Sequence, residues 1–357
     1  MIVGFTGERQ SQMLSRSNGG PLAAIAKVLR VMSILAMATG ASGCVEPDDD
    51  EAGLDLGRIH ILIPGGAGGG WDTTARAVGE GLRQSGLVTG VSYENRSGGG
   101  GGVAIAHLIE TGERQKNTIM VGSAALVVRS LNGLLPQGIG DLVPVASVVS
   151  DYGALVVRGD SPYRSYHAFV EAAAARPGST MVAGGSVRGG MDHLVVQQIM
   201  LASGQNPDTL TYVAYDAGGQ AMTSLLSGET QALSTGVSEV VAAHTQGQVT
   251  ILAITAPRRL AELPDVPTFR ELGVDALFAN WRGFFGPPQM TLDDRDRIAS
   301  LITDLVGRPE WEVQRSRLAL TNHLRFGEDF VTFLETNRAQ MMQIVSAARG
   351  PGVEVRE

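Results

Sequence analysis

The sequence predicts an α/β fold of two lobes with a ligand cleft between them. Three times, an apolar β-branched run is followed by a glycine-rich loop and a helical pattern, with loops at residues 64–70, 184–190 and 215–219. Such strand–helix alternation predicts a mainly parallel, doubly wound sheet, with ligand sites beyond the carboxyl ends of its strands. The units fall in two sets along the chain. We therefore expect two lobes whose loops face each other across a cleft.

The same patterns place the elements in order along the chain. Short apolar runs rich in Val, Ile, Thr and aromatic residues predict strands, at residues 59–63, 90–96, 118–122, 146–149, 154–157, 180–184, 210–214, 231–234, 249–255 and 279–288. Apolar residues spaced three and four apart predict helices, from near residue 72, at 103–109 and 166–175, from residue 191, and at 221–226, 238–245, 293–306 and 328–347.

Composition is that of a globular protein without an affinity for nucleic acid. The 357 residues are 43% apolar, enough to bury one large core or two moderate ones. The formal charge is -8, and only two of the cationic residues are lysines. An acidic chain of this kind lacks the basic footprint of a nucleic-acid-binding protein.

The N-terminus predicts export and a lipid anchor. Lys27 and Arg30 precede an apolar run at residues 31–38, and small residues follow up to Cys44, as in an export signal. The run is too short to span a bilayer. Because residues 41–44 resemble the bacterial lipobox, we expect a lipoprotein signal at 1–43, lipidation of Cys44 and an acidic tether at 44–57. The alternative is that Cys44 is an incidental small residue. It is the only cysteine, which excludes an intrachain disulfide.

The first glycine loop predicts an anion site. Pro64 ends the strand, six small residues follow at 65–70, and a helix begins near Asp72. Glycines let backbone approach a ligand, and a helix start offers unpaired N–H groups and a partial positive charge. The dinucleotide fingerprint fails, since its sixth place counted from Gly66 is Trp71. The phosphate-loop lysine is also missing, so a carboxylate is favoured over a nucleotide cofactor. The alternative is a flexible loop without a ligand.

Signatures of catalysis and of metal binding are missing. The nucleophile-elbow pattern fails beside Ser186, because Arg188 stands where its second glycine is required. The six histidines have no metal-ligand spacing. We therefore expect neither an enzyme nor a metal site. A secreted hydrolase using Ser186 with His193 remains the alternative from another class.

Five side chains have both a functional and a purely structural interpretation. Arg188, between glycines, could clamp a carboxylate with two hydrogen bonds or could face solvent. Asp72 and Asp192 stand at expected helix starts, where capping is the simplest role. Trp71, like Trp281, could form a wall of the pocket or fill the seam between lobes.

A series of motifs resembles the tripartite tricarboxylate transporter receptors, also called Bug proteins. Residues 61–64 with 68–76 resemble the first motif, and residues 94–96 with glycines 98–100 resemble the second. Further matches follow in order at 122–123, 185–193, 215–219, 263–268, 280–283 and 287–288. The resemblance spans about residues 58–345. The tryptophan at position 71 resembles the tricarboxylate-binding branch of the family. Gly65, Gly66 and Arg188 depart from the pattern that is common in the family.

This resemblance implies an extracytoplasmic, periplasmic-binding-protein-like receptor with the type II Venus flytrap fold. Such a receptor captures a small organic acid anion, here a citrate-like di- or tricarboxylate, and delivers it to large and small membrane permease subunits. The alternative within the fold is a sensory receptor that feeds a two-component kinase. We expect a monomer in the periplasm or on the outer face of the membrane.

The resemblance also implies where lobes and ligand contacts lie. Lobe I comprises 58–151 and 280–357, and lobe II comprises 152–279, although the second crossing could instead lie near 253–257. Backbone N–H groups of the facing glycine loops would hold one carboxylate, above a floor formed by residues 123–124. The implied contacts are Ala67, Gly68, Gly69, Gly70, Trp71, Ser123, Ala124, Ser186, Gly189, Gly190, Asp216, Gly218 and Gly219.

Overall fold

A computed structural model describes residues 57–114, 117–131 and 137–349. The predicted signal, Cys44 and nearly all of the predicted tether lie outside the described residues. No helix of the part that is described is long and apolar enough to cross a membrane.

The strands and helices alternate along most of the described chain. The strands are β1 (Arg58–Ile63), β2 (Gly90–Asn95), β3 (Thr118–Ser123), β4 (Val143–Arg158), β5 (Thr180–Gly184), β6 (Leu210–Ala214), β7 (Ala232–Gly236), β8 (Val249–Ile254), β9 (Ala279–Gly286) and β10 (Thr321–Phe326). The helices are α1 (Gly70–Gln84), α2 (Gly102–Thr111), α3 (Ala124–Leu131), α4 (Tyr166–Ala175), α5 (Met191–Ala202), α6 (Gly218–Ser227), α7 (Val237–Thr245), α8 (Leu292–Val306), α9 (Pro309–Arg317) and α10 (Gly327–Arg349).

The sheet is mixed, with the order β2-β1-β3-β9-β4-β7-β5-β6, and β8 and β10 also pair with β4. Strand β1 is parallel to β2 and β3, and β5 is parallel to β6 and β7. Every pair that includes β4 or β9 is antiparallel. The α/β class is confirmed, but the mainly parallel, doubly wound sheet is wrong. Neighbouring parallel strands need a long connection between them, usually a helix. Strand β9 instead follows a loop that contains only a short 3₁₀ turn. Strand β4 joins the two sets of parallel strands.

Strand β4 runs through both sets of strands. Its first half pairs with β9 and β10, so that Ala146 lies opposite Phe284. Its second half pairs with β7 and β8, where Ala154 lies opposite Thr235. The sequence predicted two separate strands here because polar Asp151 interrupts the apolar run. We call β1, β2, β3, β9 and β10 the first strand group, and β5, β6, β7 and β8 the second strand group.

Helices cover both faces of the first strand group. Ile61 of β1 belongs to one apolar cluster with Ile302 of α8, whereas Leu62 belongs to another with Ile105 of α2. Burial on both faces explains why β1 is a continuous apolar run rather than an alternating one. Helices α3 and α9 and strand β10 were not predicted. Strand β10 is only half-buried, so its sequence carries no strong apolar alternation.

Candidate functional site

The glycine loops of both strand groups surround one cavity of about 870 Å³, open mouth included. We call it the cleft cavity. Of the expected contacts, those that line it are Gly69, Gly70, Trp71, Ser123, Ser186, Gly190, Asp216 and Gly218. Those that do not line it are Ala67, Gly68, Ala124, Arg188, Gly189 and Gly219. The three loops therefore meet at the cavity, but not every residue of these loops lines it.

The first loop is held in place by Asp72. Helix α1 begins at Gly70 with Gly69 as its N-cap, so Asp72 lies in the first turn and is not the cap. Its carboxylate accepts hydrogen bonds from the Gly68 N–H at 3.0 Å and from Arg76 Nε at 2.8 Å. Asn95 of β2 donates to the same carboxylate at 3.0 Å. Asp72 thus fixes the loop and occupies the Gly68 N–H, which leaves the first-turn amides of α1 for a ligand.

The first turns of helices α5 and α6, which follow strands of the second strand group, point at the same cavity. Helix α5 follows Gly190, its N-cap, so Asp192 is not the cap either. Instead the Asp192 carboxyl accepts hydrogen bonds from the Ser186 hydroxyl and the Gly185 N–H. Helix α6 starts at Gly218, and a Cβ added to Gly69 would lie 3.7 Å from the Gly218 nitrogen. The starts of α1 and α6 therefore adjoin, and their partial positive charges add at the cavity.

Trp71 and Ser123 form one wall of the cavity. The Trp71 Nε1–H donates to Ser123 Oγ at 3.0 Å, and the Ala125 N–H donates to the same oxygen at 3.2 Å. A serine hydroxyl accepts two hydrogen bonds and donates one. Both acceptor sites of Ser123 are thus filled, and within the described chain its own hydrogen has no acceptor. The Ser123 hydroxyl is left to donate to a ligand.

Trp281, in contrast, lies away from the cavity. Its Nε1–H donates to Asn337 Oδ1 at 2.8 Å, and its ring packs edge-on against Phe330 and Phe333. The structure therefore favours the packing interpretation of Trp281 over the pocket-wall one.

Arg282, the next residue of β9, faces the cavity. Its Nη2 donates to Asp151 Oδ2 at 2.6 Å, and its Nη1 donates to the Gly70 carbonyl at 2.7 Å and to Thr74 Oγ1 at 2.8 Å. Arg282 therefore fastens the start of α1 to the middle of β4. Sequence reasoning found the motif that contains Arg282 but not this role, which depends on contacts between distant parts of the chain.

Two carboxyl groups on helices α5 and α7 also face the cavity. The pKa of Glu239 is raised to about 8, chiefly because burial removes the carboxyl group from water and secondly because Asp192 lies nearby. Removal from water raises the pKa of Asp192 to about 6, against hydrogen bonds from Ser186 and Gly185 that favour its charged form. Arg282 opposes both shifts. The raised pKa favours the protonated form of Glu239, which can donate a hydrogen bond to an anion.

The structure does not bring Arg188 into the cleft cavity. Arg188 is exposed, and its Nη2 donates to the Tyr212 carbonyl at 2.9 Å. With His193 it lines a separate pocket. The carboxylate clamp at Arg188 stays a prediction that this position does not favour.

Ser186 and His193 are turned to different partners. Ser186 Oγ accepts from the Asp192 N–H at 3.0 Å, whereas His193 Nδ1 accepts from the Gly189 N–H at 3.0 Å. Burial, and then Arg188, lowers the pKa of His193 to about 4. Within the described ranges these two residues share no hydrogen bond, which a serine nucleophile and its base require. The same ranges hold no group of three or more His, Cys, Asp or Glu residues placed to bind a metal.

The cavity residues that the expected contacts omit include Ser97, Arg129 and Glu239. Glu239 lies in the first turn of α7 directly after β7. The rule that ligand sites lie beyond the carboxyl ends of strands could have indicated this residue. Arg129 lies on α3, a helix that was not predicted.

Comparisons with known proteins agree with this architecture. The chain is 28% identical over 258 residues to a UPF0065 protein from the tcbD-tcbE intergenic region of Pseudomonas sp. strain P51, covering 71% of this chain and 74% of that protein. Its fold is similar to that of the periplasmic binding protein BugD, with a TM-score of 0.73 and 21% identity, covering 82% of this chain and 97% of that one.

A second solved structure has a similar fold. This is MatC from Rhodopseudomonas palustris with bound malate, with a TM-score of 0.69 and 19% identity, covering 81% of this chain and 99% of that one. At these identities both structural likenesses show the fold alone.

The fold is that of the two-lobed binding proteins of the periplasmic type. The model of the tripartite tricarboxylate transporter family receptor, TctC, matches residues 74–304, and the chain belongs to this family. The expected family and fold class are thus confirmed. The family consists of extracytoplasmic receptors that bind small organic acids and work with transporter permeases. The match begins at Thr74, so the first glycine loop precedes it.

Proposed function

We propose that the protein captures a di- or tricarboxylate in the cleft cavity and delivers it to the large and small permease subunits of a tripartite tricarboxylate transporter. The observation that carries this proposal is the convergence of the α1, α5 and α6 starts on one cavity. Unpaired first-turn N–H groups and the helix dipole favour an anion there. The malate bound to MatC, a dicarboxylate, supports the same ligand class.

The binding pose follows from the donors that are left free. One carboxylate of the ligand accepts from the N–H groups of Gly70 and Trp71 on one side and of Gly218 on the other. The Ser123 hydroxyl and the protonated Glu239 add two side-chain donors. These groups recognise any carboxylate, so the helix starts set the charge of the ligand and not its identity. Trp71 supports a tricarboxylate such as citrate by its resemblance to that branch.

Ligand capture includes closure of the two lobes, 58–151 with 280–357 and 152–279. Two contacts across the cleft support this movement. Ser97 Oγ donates to Asp216 Oδ2 at 2.6 Å, and a Cβ on Gly66 would come within 2.7 Å of the Ala217 Cβ. A ligand that contacts both sides favours the closed arrangement by its differential affinity.

The ligand leaves unchanged, and the receptor acts as a monomer outside the cytoplasm. The separate hydrogen-bond partners of Ser186 and His193 support binding without turnover. Anchoring through a lipid on Cys44 rests on the sequence. Cys44→Ser should move the protein from the membrane fraction to the soluble fraction, and a variant that stays membrane-bound would overturn the anchor.

A thermal-shift screen of organic acids tests the proposed function. A ligand at a hundred times its dissociation constant stabilises the folded protein by about 2.7 kcal/mol, which raises the melting temperature visibly. Citrate, malate, succinate and adipate are the test ligands, and uncharged sugars are the negative controls. Stabilisation by sugars and by none of the acids would refute the proposal.

A further inference from the structure

Arg129 of α3 brings a buried positive charge to the cleft cavity. Its side chain lines the cavity and is 8% exposed. Its Nη2 donates to the Gly99 carbonyl at 2.6 Å, whereas its Nε is buried with no hydrogen-bond partner among the described residues. No acidic side chain of the described ranges forms an ion pair with it. A buried charge without a counter-ion is unfavourable, and burial accordingly lowers the pKa of Arg129.

The other arginine of the cavity is already occupied. Arg282 is 2% exposed and pairs with Asp151, and it also donates to the Gly70 carbonyl. Both arginines are buried and the Nε of each has no hydrogen-bond partner among the described residues, but only Arg282 forms an ion pair there. Arg282 joins structural elements, while the charge of Arg129 forms no ion pair with any side chain of the described ranges.

The glycine run after β2 is shaped around Arg129. Residues 98–101 all have positive φ angles, of 130°, 59°, 64° and 103°, a region that disfavours other residues. A Cβ on Gly100 would overlap the Nε and Cζ atoms of Arg129. Only glycine at this position lets the guanidinium lie against the turn, so Arg129 occupies a built site and not an incidental position on the helix.

We propose that Arg129 binds a second acidic group of the ligand, while the first carboxylate lies at the helix starts of α1 and α6. This inference rests on the proposed function and adds the residue that binds the second carboxylate. An arginine fork binds a carboxylate with geometric specificity, and the gain is large where both charges leave water together. The ligand class is therefore acids with at least two carboxylates, and monocarboxylates bind poorly.

Calorimetric titration with matched probes tests the proposal. The probes are succinate, glutarate, adipate and the monomethyl ester of each, which keeps the shape and removes one charge. In wild type, at least one diacid should bind much more tightly than its ester. Arg129→Gln should weaken binding of that diacid at least about 30-fold, the loss typical of a buried charge pair, and should change binding of the ester less than about threefold.

Two further variants complete the design. Arg129→Lys keeps the charge and should restore part of the preference for the diacid. Arg158→Gln removes an arginine that pairs with Asp160 outside the cavity, and should leave every affinity unchanged. The ligand-free Arg129→Gln protein should melt no lower than wild type, because an unpaired buried charge has been removed.

The outcomes separate this proposal from the proposed function. Wild-type affinity of Arg129→Gln for the diacid would overturn the role of Arg129 and leave carboxylate binding intact. Equal losses for diacid and ester, with a lower melting temperature of the ligand-free variant, would assign Arg129 a structural role and also overturn it. Failure of wild type to bind any of the six probes or citrate would instead refute the proposed function.

Discussion

The guanidinium of Arg282 in β9 donates a 2.6 Å hydrogen bond to the Asp151 carboxylate in β4, and both side chains are almost fully buried. The pair lies where β4 passes from the first strand group to the second. Ser238 of α7 donates to the same carboxylate at 2.7 Å, and the Gly70 carbonyl of α1 accepts from Arg282. One ion pair thus connects the crossing strands with helices on both sides of the cleft cavity.

Removal of the acid from this pair should be strongly destabilising. Asp151→Asn removes the hydrogen-bonded counter-ion of the buried Arg282, and we expect the free energy of unfolding to fall by about 3–5 kcal/mol in urea denaturation. The matched control is Asp160→Asn, which breaks an exposed pair with Arg158 and should cost less than about 1 kcal/mol. Equal effects of the two substitutions would show that burial of the pair does not govern its contribution.

Glu239 should make stability depend on pH. Its folded pKa of about 8 lies above the usual 4.5, so the folded protein keeps a proton that the unfolded chain releases. This contribution is complete below about pH 4.5 and is lost as the pH rises through about 8. The acidic neighbours are Asp192 and Asp151, and the cation is Arg282.

The test compares wild type with Glu239→Gln by urea unfolding from pH 5 to 9. The difference in unfolding free energy should change by a few kcal/mol in favour of the variant as the pH rises. Parallel pH profiles for the two proteins would mean that Glu239 is ionised at neutral pH, and the cavity would then lose one of its proposed donors.

Bulk at Gly66 should hinder closure of the cleft. A Cβ at this position would come within 2.7 Å of the Ala217 Cβ on the opposite side, so Gly66→Val forces the two loops apart. We expect a loss of ligand affinity of at least about tenfold in calorimetry, with little change in the stability of the ligand-free protein. Gly140→Ala is the control, because a Cβ there meets nothing within 4 Å. Unchanged affinity in Gly66→Val would contradict closure at these loops.

Ser97 and Asp216 should slow the release of the ligand. Their 2.6 Å hydrogen bond crosses the cleft near solvent. Ser97→Ala should cost about 0.5–1.5 kcal/mol of affinity, chiefly through faster dissociation measured by stopped-flow fluorescence. Ser92→Ala, which loses a bond to His60 within the first strand group, serves as control. A change confined to the association rate would indicate that the bond does not hold the closed arrangement.

Local sequence patterns predicted the elements around the cavity well. The apolar run of β1, the glycine loop and the spacing of Ala75, Val78 and Leu82 located one wall of the site, because these signals are contained within about 25 residues. The glycines at 184–190 and 218–219 located the opposite wall by the same logic. The start of α1 was expected two residues too late, so Asp72 was taken for a cap; α5 begins at Met191 as expected, but its N-cap is Gly190 and not Asp192.

The remainder depends on contacts between distant residues, which a single sequence does not show. Strand β4 continues through Asp151, whose buried charge is paired with Arg282 from far along the chain. That the charge of Arg129 forms no ion pair becomes clear only when the partners of the other cationic groups nearby are known. Arg188 attracted attention by its glycine neighbours, yet its guanidinium contacts the backbone of Tyr212 instead.

The most direct test of the account is a calorimetric titration of the wild-type protein, and of Ser123→Ala, with citrate, malate, succinate and adipate. The cleft cavity predicts that at least one acid binds with one-to-one stoichiometry and a roughly micromolar or lower dissociation constant. It also predicts that Ser123→Ala, which lacks the free hydroxyl donor, binds that acid about five- to tenfold more weakly. No binding of any acid up to about 10 mM, or unchanged affinity in Ser123→Ala, would contradict the proposed carboxylate site.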